Sequence, residues 1–250
     1  MSEESEWLLK AKSGNVPSHI AFIMDGNGRW AEKRGLQRRD GHRAGVESIR
    51  RCIPALLELG IPYCSLFVFS TENWRRPKEE IDFLLDLVLE WAREDKRELR
   101  EKGVRVLPVG RWKDMPGPVA TAIARAAKDT QDGRALTLLT CVNYGGRQEI
   151  VDAAKALATS FAGDPRRIEN LDEEEFSRFL YAPGIPDPDL IVRTSGEERL
   201  SNFLLWQAAY SEFVFTDVYW PDMAPVDVYK AVAAYSGRKR RFGDVTEKRG

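Results

Sequence analysis

At 250 residues, with 38 Lys and Arg against 39 Asp and Glu for a net charge of -1, the chain has no positive excess with which to bind a nucleic acid. A hydrophobic fraction of 43% beside 31% charged residues is that of a soluble globular protein. Three cysteines, Cys52, Cys64 and Cys141, lie far apart without a C-x-x-C pair; this excludes a structural zinc or dithiol redox motif and fits core residues of a reducing compartment. Residues 1–16 are acidic and mixed, without an apolar signal core, and read as a flexible tail or a short surface helix. No stretch reaches the ~18 apolar residues of a membrane span, so a cytoplasmic protein is expected.

His19 to Met24 is a continuous apolar run that stops at Asp25-Gly26-Asn27-Gly28, which predicts a buried strand of a parallel sheet. Gly45 to Leu59 carries Val46, Ile49, Ile53, Leu56 and Leu57 at helical spacing, with Pro54 as a kink. Cys64 to Phe69 is the second strand. Pro77 to Lys102 predicts the clearest helix: Pro77 suits a first turn, Gly103 an end, and Ile81, Leu84, Leu85, Val88 and Trp91 form an apolar stripe. Strands at Val104 to Val109, Leu136 to Val142 and Leu190 to Val192 then alternate with helices at Gly117 to Thr130, Gln148 to Phe161, Asp172 to Tyr181 and Val226 to Arg238. The alternation predicts an α/β fold, a central, mainly parallel sheet flanked by helices. No repeat or long linker interrupts it, so one domain over 17–243 is expected, with tails at 1–16 and 244–250. Gly110 to Pro118 is unusual in composition and is expected to lie away from any reaction centre.

Ligands of open α/β sheets bind beyond the carboxyl ends of the strands. Polar clusters follow four of the strands, Asp25 to Trp30, Ser70 to Arg76, Asn143 to Arg147 and Arg193 to Asn202, and every one contains arginine. In the first, Gly26 and Gly28 let backbone N–H groups approach an anion, and Arg29 adds a fork-shaped donor for phosphate oxygens. Asp25 among such groups makes sense through a bridging Mg²⁺; taken alone, it reads better as a helix cap. The loop is neither a Walker loop nor Gly-x-Gly-x-x-Gly, which argues against a nucleotide-dependent transferase. Arg38, Arg39 and His42 alone would be a solvated surface. Glu197 and Glu198 either support the neighbouring site residues or are structural. Glu212, in the otherwise apolar Tyr210-Ser211-Glu212-Phe213, needs a partner, by default a structural one rather than a metal. Large residues (Trp30, Phe69, Trp74, Phe203, Trp206) flank the polar ends. The inner face of the long helix (Phe83, Leu84, Leu87, Val88, Trp91) is either core or the wall of a tunnel, and periodicity does not separate the two.

His19-Ile20-Ala21-Phe22-Ile23-Met24-Asp25-Gly26-Asn27-Gly28-Arg29-Trp30, with Gly41 to Gly45 after it, resembles the first signature of the cis-prenyltransferases, the family of undecaprenyl diphosphate synthase. Phe69 to Pro77 is similar to the second signature and Asn143 to Arg147 to the third. Arg193 to Phe203, continued to Trp220-Pro221-Asp222, resembles the last two. The resemblance runs from about Pro17 to Gly243. It implies a homodimer with a hydrophobic tunnel beside the sheet, and successive cis additions of isopentenyl diphosphate to an allylic diphosphate such as farnesyl diphosphate. The implied product is undecaprenyl diphosphate, a cell-wall lipid carrier; a shorter-chain synthase is the alternative. Peripheral membrane association for product release belongs to the same expectation.

Residue by residue, Asp25 matches the metal-linked aspartate, with Mg²⁺ as the implied cofactor and Glu212 as the second carboxylate near it. Gly26, Asn27, Gly28, Arg29, Trp30, Arg38 and His42 match the primer-diphosphate pocket. Ser70, Thr71, Glu72, Asn73, Trp74 and Arg76 match the second motif, Ser70 and Asn73 as catalytic residues beside Asp25 and His42. Arg193, Arg199 and Ser201 match the isopentenyl diphosphate site. Arg241 and Gly243 resemble the C-terminal Arg-x-Gly that reaches toward a partner subunit. The proton acceptor is left among Asp25, a Ser70–Asn73 relay and a diphosphate oxygen. Val68 stands where relatives often carry alanine and is a candidate limit on chain length. A non-catalytic subunit would lack the aspartate and the Arg/Ser/Glu set, which this chain retains.

Overall fold

The computed structural model describes residues 2–237. The elements in chain order are α1 (Glu3–Lys12), β1 (His19–Ile23), α2 (Asn27–Glu32), α3 (Arg38–Leu59), β2 (Tyr63–Ser70), α4 (Lys78–Glu94), α5 (Lys96–Glu101), β3 (Val104–Val109), α6 (Gly117–Asp129), β4 (Leu136–Tyr144), α7 (Gly146–Ser160), α8 (Pro165–Glu169), α9 (Glu173–Ser177), β5 (Leu190–Arg193), β6 (Glu212–Phe215) and α10 (Pro225–Ser236). Short 3₁₀ turns cover Thr71–Arg75, Trp112–Asp114 and Trp220–Asp222. The strands form one six-stranded sheet in the order β3-β4-β2-β1-β5-β6, every neighbouring pair parallel. All carboxyl ends therefore open onto one edge.

β1 is buried along its whole length because both faces are covered. Ile20 and Phe22 join the core beneath α3 and α10, while Ala21 and Ile23 pack with Phe203, Leu204 and Ala208 on the other side. This two-sided burial is why the strand reads as an unbroken apolar run.

Several elements depart from the sequence expectations. Residues 3–12 form a helix, the second of the two expectations for this segment, but docked against α10 with Ala11 fully buried. α3 begins at Arg38, seven residues before the expected start, and continues through Pro54. The long helix is interrupted at Asp95, whose carboxylate accepts from Arg50 Nε and Nη2 at 2.8 and 2.6 Å. β6, an edge strand not foreseen, pairs Glu212 with Leu190 of β5. In β2 the register slips between Phe67 and Phe69, so Val68 sits on a bulge.

Candidate active site

The loop after β1 is fastened before it does anything else. Thr194, fully buried, receives the Asp25 N–H at 2.9 Å and returns its hydroxyl to the Asp25 carbonyl at 2.7 Å. The Trp220 N–H adds a third tie to that carbonyl at 3.0 Å. Gly26 turns the chain at φ 100°, and a Cβ there would meet Tyr219 at 2.5 Å, so only glycine brings α2 off the strand this way.

The Asp25 carboxylate then faces a set of donors. Arg193 Nη2 lies 2.8 Å from Oδ2, the Gly26 N–H 2.7 Å from Oδ1, and Arg29 Nη2 3.5 Å from Oδ1. Burial works to raise the Asp25 pKa, but Arg193, the Gly26 N–H and Arg29 outweigh it and hold the carboxyl below the usual carboxylate range. Arg193 is itself 3% exposed; Nη1 donates to Ser201 Oγ at 2.7 Å and to the Arg199 carbonyl. Arg29 Nη1 reaches Glu197 at 2.9 Å, and Arg199 pairs with the other oxygen of that carboxylate. Asp25, Arg29, Arg193, Arg199 and Ser201 thus form one continuous network, which joins Arg29, expected at the primer-diphosphate pocket, to the residues expected at the isopentenyl diphosphate site. The segment that carries it is conformationally costly: Ser195, Ser201, Asn202 and Leu204 hold left-handed φ values of 70°, 50°, 65° and 43°.

A second group of cations gathers nearby. Arg38 and His42 on the first turns of α3, and Arg76 after the 3₁₀ turn, all meet Glu80 in the first turn of α4, at 3.5, 3.3 and 2.7 Å. Burial and the Arg76 charge lower the His42 pKa, with Glu80 acting against them. Ser70 and Asn73 cap the 3₁₀ turn reciprocally, Asn73 Oδ1 taking the Ser70 N–H at 2.8 Å. Glu72 accepts from Asn202 Nδ2 at 2.9 Å. Gly145 lies where these segments converge: a Cβ would come within 2.7 Å of both Asn202 and Thr71. Trp74 donates to Asn143 Oδ1 at 2.8 Å, and Asn143 Nδ2 donates to the Arg111 carbonyl at 3.1 Å. The segment from Gly110, expected to be remote, therefore supports the second cluster from behind.

Between sheet, α4 and α6 runs a cavity of about 840 Å³, part of it open to solvent. Asn27 and His42 stand at its polar end; Val68, Leu84, Leu87, Val88 and Trp91 line it, with Val106, Ile123 and Ala126 deeper. The α4 stripe is thus a tunnel wall as well as core.

Not every expected residue is brought here. Trp30 does not line the cavity; its N–H is held by Asp222 at 2.6 Å, and Arg34 covers the ring. Glu212 opens β6, in register with Leu190 and so with Ile20, at the opposite edge of the sheet from Asp25. At ~3.3 Å per residue the offset along the strands is about 15 Å, so the two carboxylates of one chain cannot share an ion. Arg241 and Gly243 lie outside the described residues. Conversely, Glu80, Thr194 and Asn202 are site residues that the sequence reading did not assign. The one available signal was the spacing of four between Arg76 and Glu80, that of a helical ion pair.

Among the described residues no three His, Cys, Asp or Glu side chains form a metal cage. Asp25 instead offers a single carboxylate, 31% exposed, beside groups suited to phosphate. That fits Mg²⁺, which is usually held by one or two carboxylates with substrate phosphates and water completing its shell. Arg193 Nε and Asn27 Oδ1 are buried without a hydrogen-bond partner among the described residues, polar capacity in reserve at this edge.

Residues 23–243 match the family model described as "Putative undecaprenyl diphosphate synthase". An isoprenyl transferase of Clostridium perfringens is 45% identical over 244 residues, 98% of this chain and 96% of that protein. A crystal structure of lavandulyl diphosphate synthase from Lavandula x intermedia in complex with dimethylallyl diphosphate superposes with a TM-score of 0.88 at 34% identity, covering 92% of this chain and 99% of that one. A probable undecaprenyl diphosphate synthase from Campylobacter jejuni gives 0.75 at 32% identity, over 92% and 100%. The parallel sheet, the ordered motifs at its carboxyl edge and these matches across nearly the whole length agree: the chain belongs to the isoprenyl transferases of the cis-prenyltransferase family.

Proposed function

We propose that the protein elongates an allylic diphosphate, farnesyl diphosphate by preference, through repeated cis condensation with isopentenyl diphosphate to a long polyprenyl diphosphate of the undecaprenyl class. The observation that carries this reading is the position of two arginine clusters side by side, one of them at the polar mouth of an apolar cavity of about 840 Å³. One diphosphate must leave while another stays anchored, and the hydrocarbon between must have somewhere dry to grow.

In the condensation the allylic carbon–oxygen bond breaks, a carbon–carbon bond forms to isopentenyl diphosphate, and one proton is lost. Arg38, His42 and Arg76 with the N-terminal N–H groups of α2 stabilise the negative charge that gathers on the departing oxygens. Arg29, Arg193, Arg199 and Ser201 hold the second diphosphate so that its double bond meets the allylic carbon in a fixed orientation. Bound Mg²⁺, with Asp25 as its protein ligand, supplies further charge neutralisation at the phosphates. Phe69 and Trp74, whose rings meet edge to face at 5.1 Å, help keep water from the carbocation. Asp25, Ser70 with Asn73, and a diphosphate oxygen remain the candidates for the proton.

Homodimerisation forms part of the proposal. β6 is an edge strand with Phe215 40% exposed, and Tyr210 before it is 74% exposed. Since Glu212 is at the far edge from Asp25 of its own chain, it serves as a metal ligand only toward another subunit, so the dimer and that role stand together. No described helix is long and apolar enough to cross a membrane; product release is proposed to occur by peripheral contact of a cytoplasmic enzyme with a bilayer.

Incubation with farnesyl diphosphate, labelled isopentenyl diphosphate and Mg²⁺, followed by chain-length separation, tests the reading. A ladder ending near eleven isoprene units is the expected outcome; a single short condensation product supports the shorter-chain alternative, and no incorporation sinks both.

A further inference from the structure

We propose that Glu80 is an internal stand-in for the allylic diphosphate, occupying its donors in the free enzyme and giving them up when the primer binds. One carboxylate oxygen, Oε1, collects all three groups: Arg76 Nη1 at 2.7 Å, His42 Nε2 at 3.3 Å and Arg38 Nη2 at 3.5 Å. These donors come from two separate segments: Arg38 and His42 share a face of α3 at a spacing of four, Arg76 follows the 3₁₀ turn, and only the tertiary fold brings the two segments to one oxygen. A phosphate oxygen asks for the same arrangement of several donors converging on one oxygen.

The placement also suits an exchange. Glu80 occupies the first turn of α4, the helix that walls the cavity, and its side chain is 18% exposed. A Cβ on Gly28 would meet the Arg38 guanidinium at 2.8 Å, so that guanidinium lies against the turn that follows β1. An incoming diphosphate can take Arg38 and Arg76 while the Glu80 carboxylate turns to solvent. Two like charges cannot share these donors without loss, so primer binding competes with Glu80, and Glu80 in turn helps expel the diphosphate of a finished chain.

The size of the effect follows from competition. If Glu80 fills the donor site about 90% of the time, the apparent affinity for primer is about tenfold weaker than that of the open site. The inference rests on the function proposed above, and its test separates the two. Binding of farnesyl diphosphate, and of inorganic pyrophosphate as a headgroup probe, is measured by calorimetry on wild type, Glu80→Gln and Glu80→Asp, with melting temperature as a control. Glu80→Gln is expected to bind both probes about 3–10-fold more tightly and to release product more slowly, lowering kcat while KM for the primer falls. Glu80→Asp, which keeps the charge but withdraws it by one methylene, is expected to lie between. If Glu80 merely holds the arginines in place, both variants bind more weakly; weaker or unchanged binding in folded variants overturns the inference. Failure of wild type to bind farnesyl diphosphate overturns the function proposed above instead.

Discussion

The two edges of the sheet handle buried polar groups in opposite ways. At the amino edge His19 is closed off: Nδ1–H donates to the Pro186 carbonyl at 2.6 Å, Nε2 accepts from Ser65 at 2.8 Å, and Asp189 takes the N–H groups of Ser18 and His19 at 2.7 and 3.2 Å. At the carboxyl edge arginines converge on few carboxylates, residues hold left-handed backbone, and Arg193 Nε and Asn27 Oδ1 are buried without a partner among the described residues. The first arrangement is complete in itself; the second keeps donors and acceptors in reserve. Polar satisfaction, more than burial, thus separates the edge that supports the fold from the edge that does chemistry.

Substitutions should divide along the same line. Asp25→Asn is expected to lower kcat/KM by about 10³-fold with a melting temperature within a few degrees of wild type, because the amide keeps an acceptor for Arg193 but loses the charge. Steady-state kinetics with thermal melting checks this, and near-normal turnover would remove Asp25 from the chemistry.

His19 gives the converse case. Burial pushes its pKa down to about 4, so the folded protein holds it neutral while the unfolded chain binds a proton below about 6.5. The unfolded state therefore gains as pH falls through that window, and roughly 3 kcal/mol of stability is lost between pH 6.5 and 4. Denaturant titrations should show His19→Gln lacking that part of the acid slope, with kcat/KM at neutral pH unchanged; a large loss of activity in a folded variant would blur the division between the edges.

Arg199→Ala is expected to raise KM for isopentenyl diphosphate about tenfold, the worth of a charge-assisted hydrogen bond, with KM for the primer unaffected. Equal effects on both substrates would merge the two anion sites into one. The smallest change belongs to the tunnel: Val68→Ala should shift the product ladder by one or a few isoprene units at a stability cost of about 1 kcal/mol. An unaltered ladder would make Val68 a packing residue only.

Most of the fold can be read from the chain because strands buried on both faces appear as apolar runs, and helices show their stripes. β6 escapes because an edge strand need not be apolar throughout, and Glu212 at its start breaks the run. The bulge at Val68 leaves no mark in composition. Within the site, Asp25, Arg193 and Ser201 announce themselves at strand ends. Glu80 does not, since a carboxylate in the first turn of a helix is ordinary complementation of the helix dipole, and only three-dimensional convergence sets it apart. The separation of Glu212 from Asp25 within one chain escapes for a similar reason: a motif preserves order along the chain but says nothing of which end of a strand a residue occupies.

The strand order also has a consequence in time. β1 lies at the middle of the sheet, yet its two partners are made far apart: β2 follows within a few tens of residues, whereas the Asp25–Arg193 pair spans 168 residues. At ~5–20 residues per second a ribosome needs on the order of 10–30 s to deliver the second partner. Through that interval one edge of a largely apolar strand has no mate, the state in which a nascent chain most needs a chaperone. The Asp25–Arg193 contact is accordingly among the last long-range pairings to form, so a chain cut short before β5 carries the first signature motif intact and yet has no site.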